Sequence, residues 1–127
     1  IAINNVVVAE VPNTVVTNGK QWVAQRMSNA NTVMTHMAIG TGSAAVAPAN
    51  TTLATEVARV TLTSTTVSAN SIVYVGTFPA GTGTGAIVEA GTFDASSAGD
   101  MLCRTVFSVV NKGANDSMVI TWTVTVN

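Results

Sequence analysis

Residues 86–95 read AIVEAGTFDA, and the reading of this stretch decides the fold. Ala86–Phe93 has the apolar, β-favouring content of a short strand. It is opened by the glycine-rich turn 80–85 (AGTGTG) and closed by the polar loop 94–100 (DASSAGD). Glu89 lies in its middle between apolar neighbours, and Arg104 follows among Met101, Leu102, Val106 and Phe107. An acid and a base, each set into an apolar strand, form either a catalytic pair or a structural ion pair.

The segments around this strand carry the same signature. Met101–Val110 is apolar on both faces, as a central strand would be. Met118–Val126 alternates, with Met118, Ile120, Trp122, Val124 and Val126 predicted inward and the threonines outward. Val33–Ile39, Val60–Val67 and Ser71–Phe78 read as further strands. One helix is expected over Gly19–Met27, capped by Thr17 or Asn18, with Trp22 plugging one end of the fold. A single helical turn is expected at Leu53–Ala58. Six to eight short strands with one helix predict a mainly β domain, an antiparallel, jelly-roll-like β-sandwich. Trp22 and Trp122 are its expected large packing residues.

Residues 1–17 stand outside this pattern. Val6, Val7 and Val8 followed by Pro12 read either as an edge strand with a loop or as an extended arm that adds a strand to a neighbouring subunit. On the second reading the chain divides into an arm at 1–17 and a sandwich at 18–127.

Composition narrows the function classes. Charged residues are 9% of the 127, far below the roughly 25% of ordinary soluble domains. Val and Thr together make up about a third. The net charge of −1 provides no electrostatic footprint for nucleic acid or an anionic membrane. No apolar run is long enough to span a bilayer as a helix, and the start lacks the form of a secretory signal. Cys103, the single cysteine, is expected as a buried apolar residue. So neutral a chain, with a mean hydropathy of +0.44, suits a surface covered by other protein.

Chemistry-bearing motifs are sparse. Gly40–Ala45 (GTGSAA) matches a dinucleotide pattern, but loop residues rather than a helix follow it. His36 has no Cys, Asp or second His at ligand spacing. The 94–100 loop offers oxygens to a hard cation without the spacing of a calcium loop. No catalytic residues, metal ligands or cofactors are assigned. Glu89 and Arg104, extended by Glu56 and Arg59, are expected to form a structural ion-pair network joining strands.

An ordered series of short motifs remains. It runs KQWVAQR (20–26), HMAIGTG (36–42), TLATEVAR (52–59), GTF (76–78), TGAIVEAGTFD (84–94), MLCRTVF (101–107), VVNK (109–112) and DSMVITW (116–122). In this series the chain resembles small structural proteins of tailed-bacteriophage virions, met as capsid decoration (cement) proteins and as collar or tail-appendage domains. The resemblance implies a non-enzymatic, oligomeric virion component, often a trimer, whose partners are its own copies and the major capsid protein. The outer capsid surface is the expected location, with a collar, neck or tail-fibre attachment domain as the alternative.

Overall fold

The computed structural model describes residues 1–126 as two five-stranded antiparallel sheets packed as a sandwich, with one short helix. The expected domain's last residue, Asn127, lies outside the described residues. One sheet is ordered β2 (Val6–Val7), β1 (Ala2–Ile3), β10 (Met118–Thr125), β7 (Ser71–Phe78), β6 (Ser64–Ser68). The other is ordered β3 (Thr14–Val15), β9 (Met101–Lys112), β8 (Gly85–Phe93), β4 (His36–Gly40), β5 (Glu56–Thr61). Helix α1 (Thr17–Met27) packs against β9.

The stretch at 86–95 is the middle strand of its sheet. β8 has β9 along one edge and β4 along the other, and it is buried on both faces from Ile87 to Phe93. Its inner face meets the main core, which contains Met37, Ile39, Tyr74, Phe78, Phe107 and Trp122. Its outer face is covered by the irregular segment 41–55, under which Val16, Ala38, Leu53, Phe93 and Met101 form a second, smaller core. β10 alternates as its sequence implies from Met118 to Thr123, with Met118, Ile120 and Trp122 buried and Thr121 and Thr123 exposed, whereas Val124 is half-buried and Val126, expected inward, is exposed beyond the end of the strand.

Several expectations are corrected. No helical turn forms at Leu53–Ala58; the amides of Ala54 and Thr55 are drawn to a side chain of β8, and strand β5 starts at Glu56. Val60–Val67 is not one strand, because the chain crosses from one sheet to the other at Leu62–Thr63. The helix has no side-chain cap. Its first amide, Thr17 N–H, donates instead to Pro48 O of the 41–55 segment. Asn18 reaches away to accept from Met101 N–H and to donate to Asp100.

The expected division into an arm at 1–17 and a domain at 18–127 is also absent. β1 pairs with β10, β2 folds back on β1, and β3 pairs with β9. Asn4 and Asn5, both at positive φ, make the tight turn between β1 and β2. The N-terminal amine donates to Ala9 O, and Thr105 Oγ1 donates to Pro12 O. The physical reason is the strand edge: β10 and β9 offer unpaired amides on this side, and the N-terminal segment takes up part of each.

Candidate functional site

The chain's most concentrated polar chemistry lies under the 41–55 segment. Glu89 of β8 and Arg104 of β9 are diagonal neighbours on the outer sheet face, since Gly91 pairs with Arg104 and Glu89 with Val106. Glu89 Oε1 lies 3.0 Å from Arg104 Nη2, with both side chains closed off from water. The Glu89 carboxylate also accepts from three backbone amides: Gly42 and Thr55 at Oε2, Ala54 at Oε1. Arg104 donates in turn to Ala44 O and Asn50 Oδ1. Together the two side chains hold both ends and the middle of a segment without regular secondary structure.

The glycines at 40 and 42 belong to this arrangement. A Cβ on Gly40 would stand 2.6 Å from Glu89 Oε2, and one on Gly42 would stand 2.5 Å from it. The motif that mimics a nucleotide loop thus makes room for a carboxylate. Five hydrogen bonds saturate Glu89, two of them from Arg104. The geometry is that of a latch.

Glu56 and Arg59 form a separate pair, so the expected single network of four is two independent pairs. Arg59 Nη2 lies 2.8 Å from Glu56 Oε1. Its Nη1 donates to Ala95 O and Ala98 O, and its Cζ lies 3.8 Å from the Phe93 ring centroid. Arg59 therefore fixes the 94–100 loop. The oxygens of that loop are turned to its own chain: Asp94 Oδ1 accepts from Asp100 N–H, while Asp100 accepts from Asn18 and Asn31. Among the described residues no group of three His, Cys, Asp or Glu side chains is gathered as a metal site. The ring nitrogens of His36 lie near hydroxyls, Thr35 Oγ1 at 2.7 Å from Nδ1 and Thr61 Oγ1 at 3.5 Å from Nε2.

Trp22 and Trp122 both belong to the main core, and the Trp22 indole N–H donates to Thr32 O. Cys103 is buried beside Thr92 and Trp122. The Thr92 hydroxyl and the Trp122 N–H, which meet no other hydrogen-bond partner, both pull the thiol's pKa down. Burial outweighs that influence and pushes the Cys103 thiol up to about 12. Burial likewise raises Tyr74 to about 12, with the neighbouring Cys103 adding to it.

Two charges missed at the sequence level act at the end of β9. Lys112 is buried and donates from Nζ to Pro79 O. Burial lowers its pKa from the ordinary lysine value, with Asp116 pulling the other way. Asp116 accepts from Gly113 N–H and from Asn4, and these two bonds hold its carboxyl below the ordinary value. Lysine is rarely buried without a partner, and nothing local in NKGANDS marks it as such.

Among the described residues the surface is marked by hollows, two of which stand out. One, about 440 Å³, lies along the edge of β10 beneath the segment linking β2 to β3, with Trp122, Ala90 and Thr105 at its floor. The other, about 460 Å³, is an apolar recess among Trp22, Met27, Val67 and Val126. Val6, Val7 and Val8 stand exposed beside the first, at 64%, 67% and 49%. Compared with protein-family models, with curated proteins and with solved structures, the chain matches none.

Proposed function

We propose that the chain is a structural module of a virus particle, a decoration protein that binds the outer shell of a tailed-bacteriophage capsid and bridges its subunits. The sequence resemblance suggests the particle. The observation that carries the reading is how the few charges are used. Glu89, Arg104, Glu56, Arg59, Lys112, Asp94, Asp100 and Asp116 all bond to the chain's own groups. What remains outside is largely neutral Val, Thr, Ala and Ser on a rigid sandwich. Such a surface suits broad burial against other subunits, where permanent interfaces resemble a divided core. The reading assigns no reaction to the chain.

Quantitative mass spectrometry of purified particles tests the proposal. A copy number that scales with the major capsid protein is expected, together with rebinding of the purified domain to shells stripped of it. A handful of copies per particle points instead to a collar or tail-fibre attachment. Absence from the particle overturns both.

A further inference from the structure

The apolar recess between helix α1 and the β6–β7 hairpin holds two polar groups that the chain itself does not use. Gly19 sets the helix directly on β9, and the hairpin belongs to the opposite sheet. The recess is the gap between them. Trp22, Tyr74 and Leu102, all buried, form its floor, while Val23, Met27, Val67 and Val126 stand exposed around it. Exposed apolar side chains gathered in this way mark a place of binding. At about 460 Å³ the recess has the size of a small-molecule site.

The first polar group is at the floor. Tyr74 is the chain's only tyrosine, and 3% of it is accessible. Its hydroxyl makes no hydrogen bond among the described residues, yet it is not sealed off: the fully enclosed polar atoms without a partner are Thr92 Oγ1 and Trp122 Nε1. The hydroxyl therefore opens on the recess that Tyr74 borders. Burial pushes the phenol up to about 12, so it remains an O–H donor throughout the ordinary pH range. A buried donor left in this state is costly unless something from outside meets it.

The second is at the rim. Arg26 is the one charged residue on the recess wall. Its Nη1 donates to Asn31 O, and no acid pairs with it among the described residues. Its place in the last helical turn offsets the helix dipole, but this takes only the charge and leaves other guanidinium N–H groups open. A cation at the rim of an apolar recess selects an anion.

We infer that this recess binds a small carboxylate with an apolar body and a hydrogen-bond acceptor at its far end. Arg26 takes the carboxylate, the Tyr74 hydroxyl donates to the acceptor, and the apolar body lies on Trp22 and Leu102 between Met27 and Val67. The inference stands apart from the capsid reading, which makes no use of this recess.

Calorimetry with ω-hydroxy acids from hydroxyhexanoate to hydroxydodecanoate, below their micellar concentrations, provides the test. The parent acid and the diol of the tightest binder serve as controls. The hydroxy acid is expected to bind more tightly than the parent acid, which lacks the acceptor, and than the diol, which lacks the charge. Arg26→Gln is expected to weaken the hydroxy acid about tenfold and to leave the diol unchanged. Tyr74→Phe, which keeps the ring, is expected to weaken the hydroxy acid and the diol and to spare the parent acid. Magnetic resonance signals of the Trp22 indole and the Met27 methyl are expected to shift on binding. Failure of every hydroxy acid to bind overturns the inference, as does binding that both substitutions leave intact. So does a parent acid or a diol that binds as well as the hydroxy acid, or a shift confined to Trp122 and Val7 at the other hollow. If Arg26→Gln fails to fold, the comparison of ligands on the wild-type chain still decides.

Discussion

Glu89 and Arg104 face each other on adjacent strands at 3.0 Å, yet more of the carboxylate's hydrogen bonds come from the backbone of residues 42–55 than from the arginine. The pair is thus a means of holding chain as much as a pair of charges.

Replacing Glu89 by Gln leaves Arg104 buried without its counter-charge, a loss of about 3–5 kcal/mol. The melting temperature is expected to fall on the order of 10 °C. If the latch view holds, the double variant Glu89→Met/Arg104→Met recovers little of this, because the amides of Gly42, Ala54 and Thr55 still lack an acceptor. Urea titration of both variants checks this, and recovery to wild-type stability would reduce the site to a simple ion pair.

Gly19 brings the helix against β9. A Cβ there would stand 2.1 Å from Leu102 O, which is main chain and cannot swing aside. Gly19→Ala is expected to cost about 1–3 kcal/mol through overpacking, although alanine is the better helix former. Thermal unfolding gives the cost, and the near-ultraviolet circular dichroism of Trp22 reports the displaced helix. A neutral or stabilised variant contradicts the close approach.

Cys103 is expected to resist thiol reagents in the native protein and to react only as fast as the chain unfolds. Its alkaline consequence has a definite sign. The ordinary value of 9.0 belongs to the unfolded chain, and the folded value is about 12. The stabilising contribution is complete below pH 9 and is lost as pH rises toward 12, since only the unfolded state releases the proton there. Cys103→Ala is therefore expected to show a smaller fall in stability across that window.

Lys112 gives the opposite slope. Its folded pKa lies below the ordinary value, so between the two the unfolded state holds more protons and stability rises with pH. Lys112→Met is expected to remove this rise. Asp116 acts at the acid end: its lowered pKa gives stability that is present above the ordinary carboxylate value and lost as pH falls through the folded one. Denaturation midpoints measured from pH 3 to 11 for Lys112→Met and Asp116→Asn check both signs.

The middle of the fold was legible because its information is local. Ala86–Phe93 is apolar on both faces and sits between turn residues, which marks a central strand. Glu89 and Arg104 were conspicuous as charges in apolar runs. The 41–55 segment was not legible, because its conformation is set by a carboxylate more than thirty residues away. The same contact undoes the helical spacing of Leu53, Glu56 and Val57. Residues 1–17 read equally as an edge strand or as an arm, because each of their pairings spans only two residues, too short to leave a periodic trace. The separation of Glu56–Arg59 from Glu89–Arg104 depends on which sheet neighbours β5 and β8 take, and a single sequence does not encode that visibly.

The latch at Glu89 and Arg104 grips mainly main-chain groups, with Asn50 as the one side chain it needs. The shape of the 41–55 segment therefore depends on a few of its residues, Gly42, Asn50 and the buried Leu53 among them. Ser43, Ala45, Ala49, Thr51 and Thr52 all point to solvent and lie free to vary. This makes the segment a natural graft point: foreign peptide side chains displayed there inherit a fixed backbone from the strands beneath.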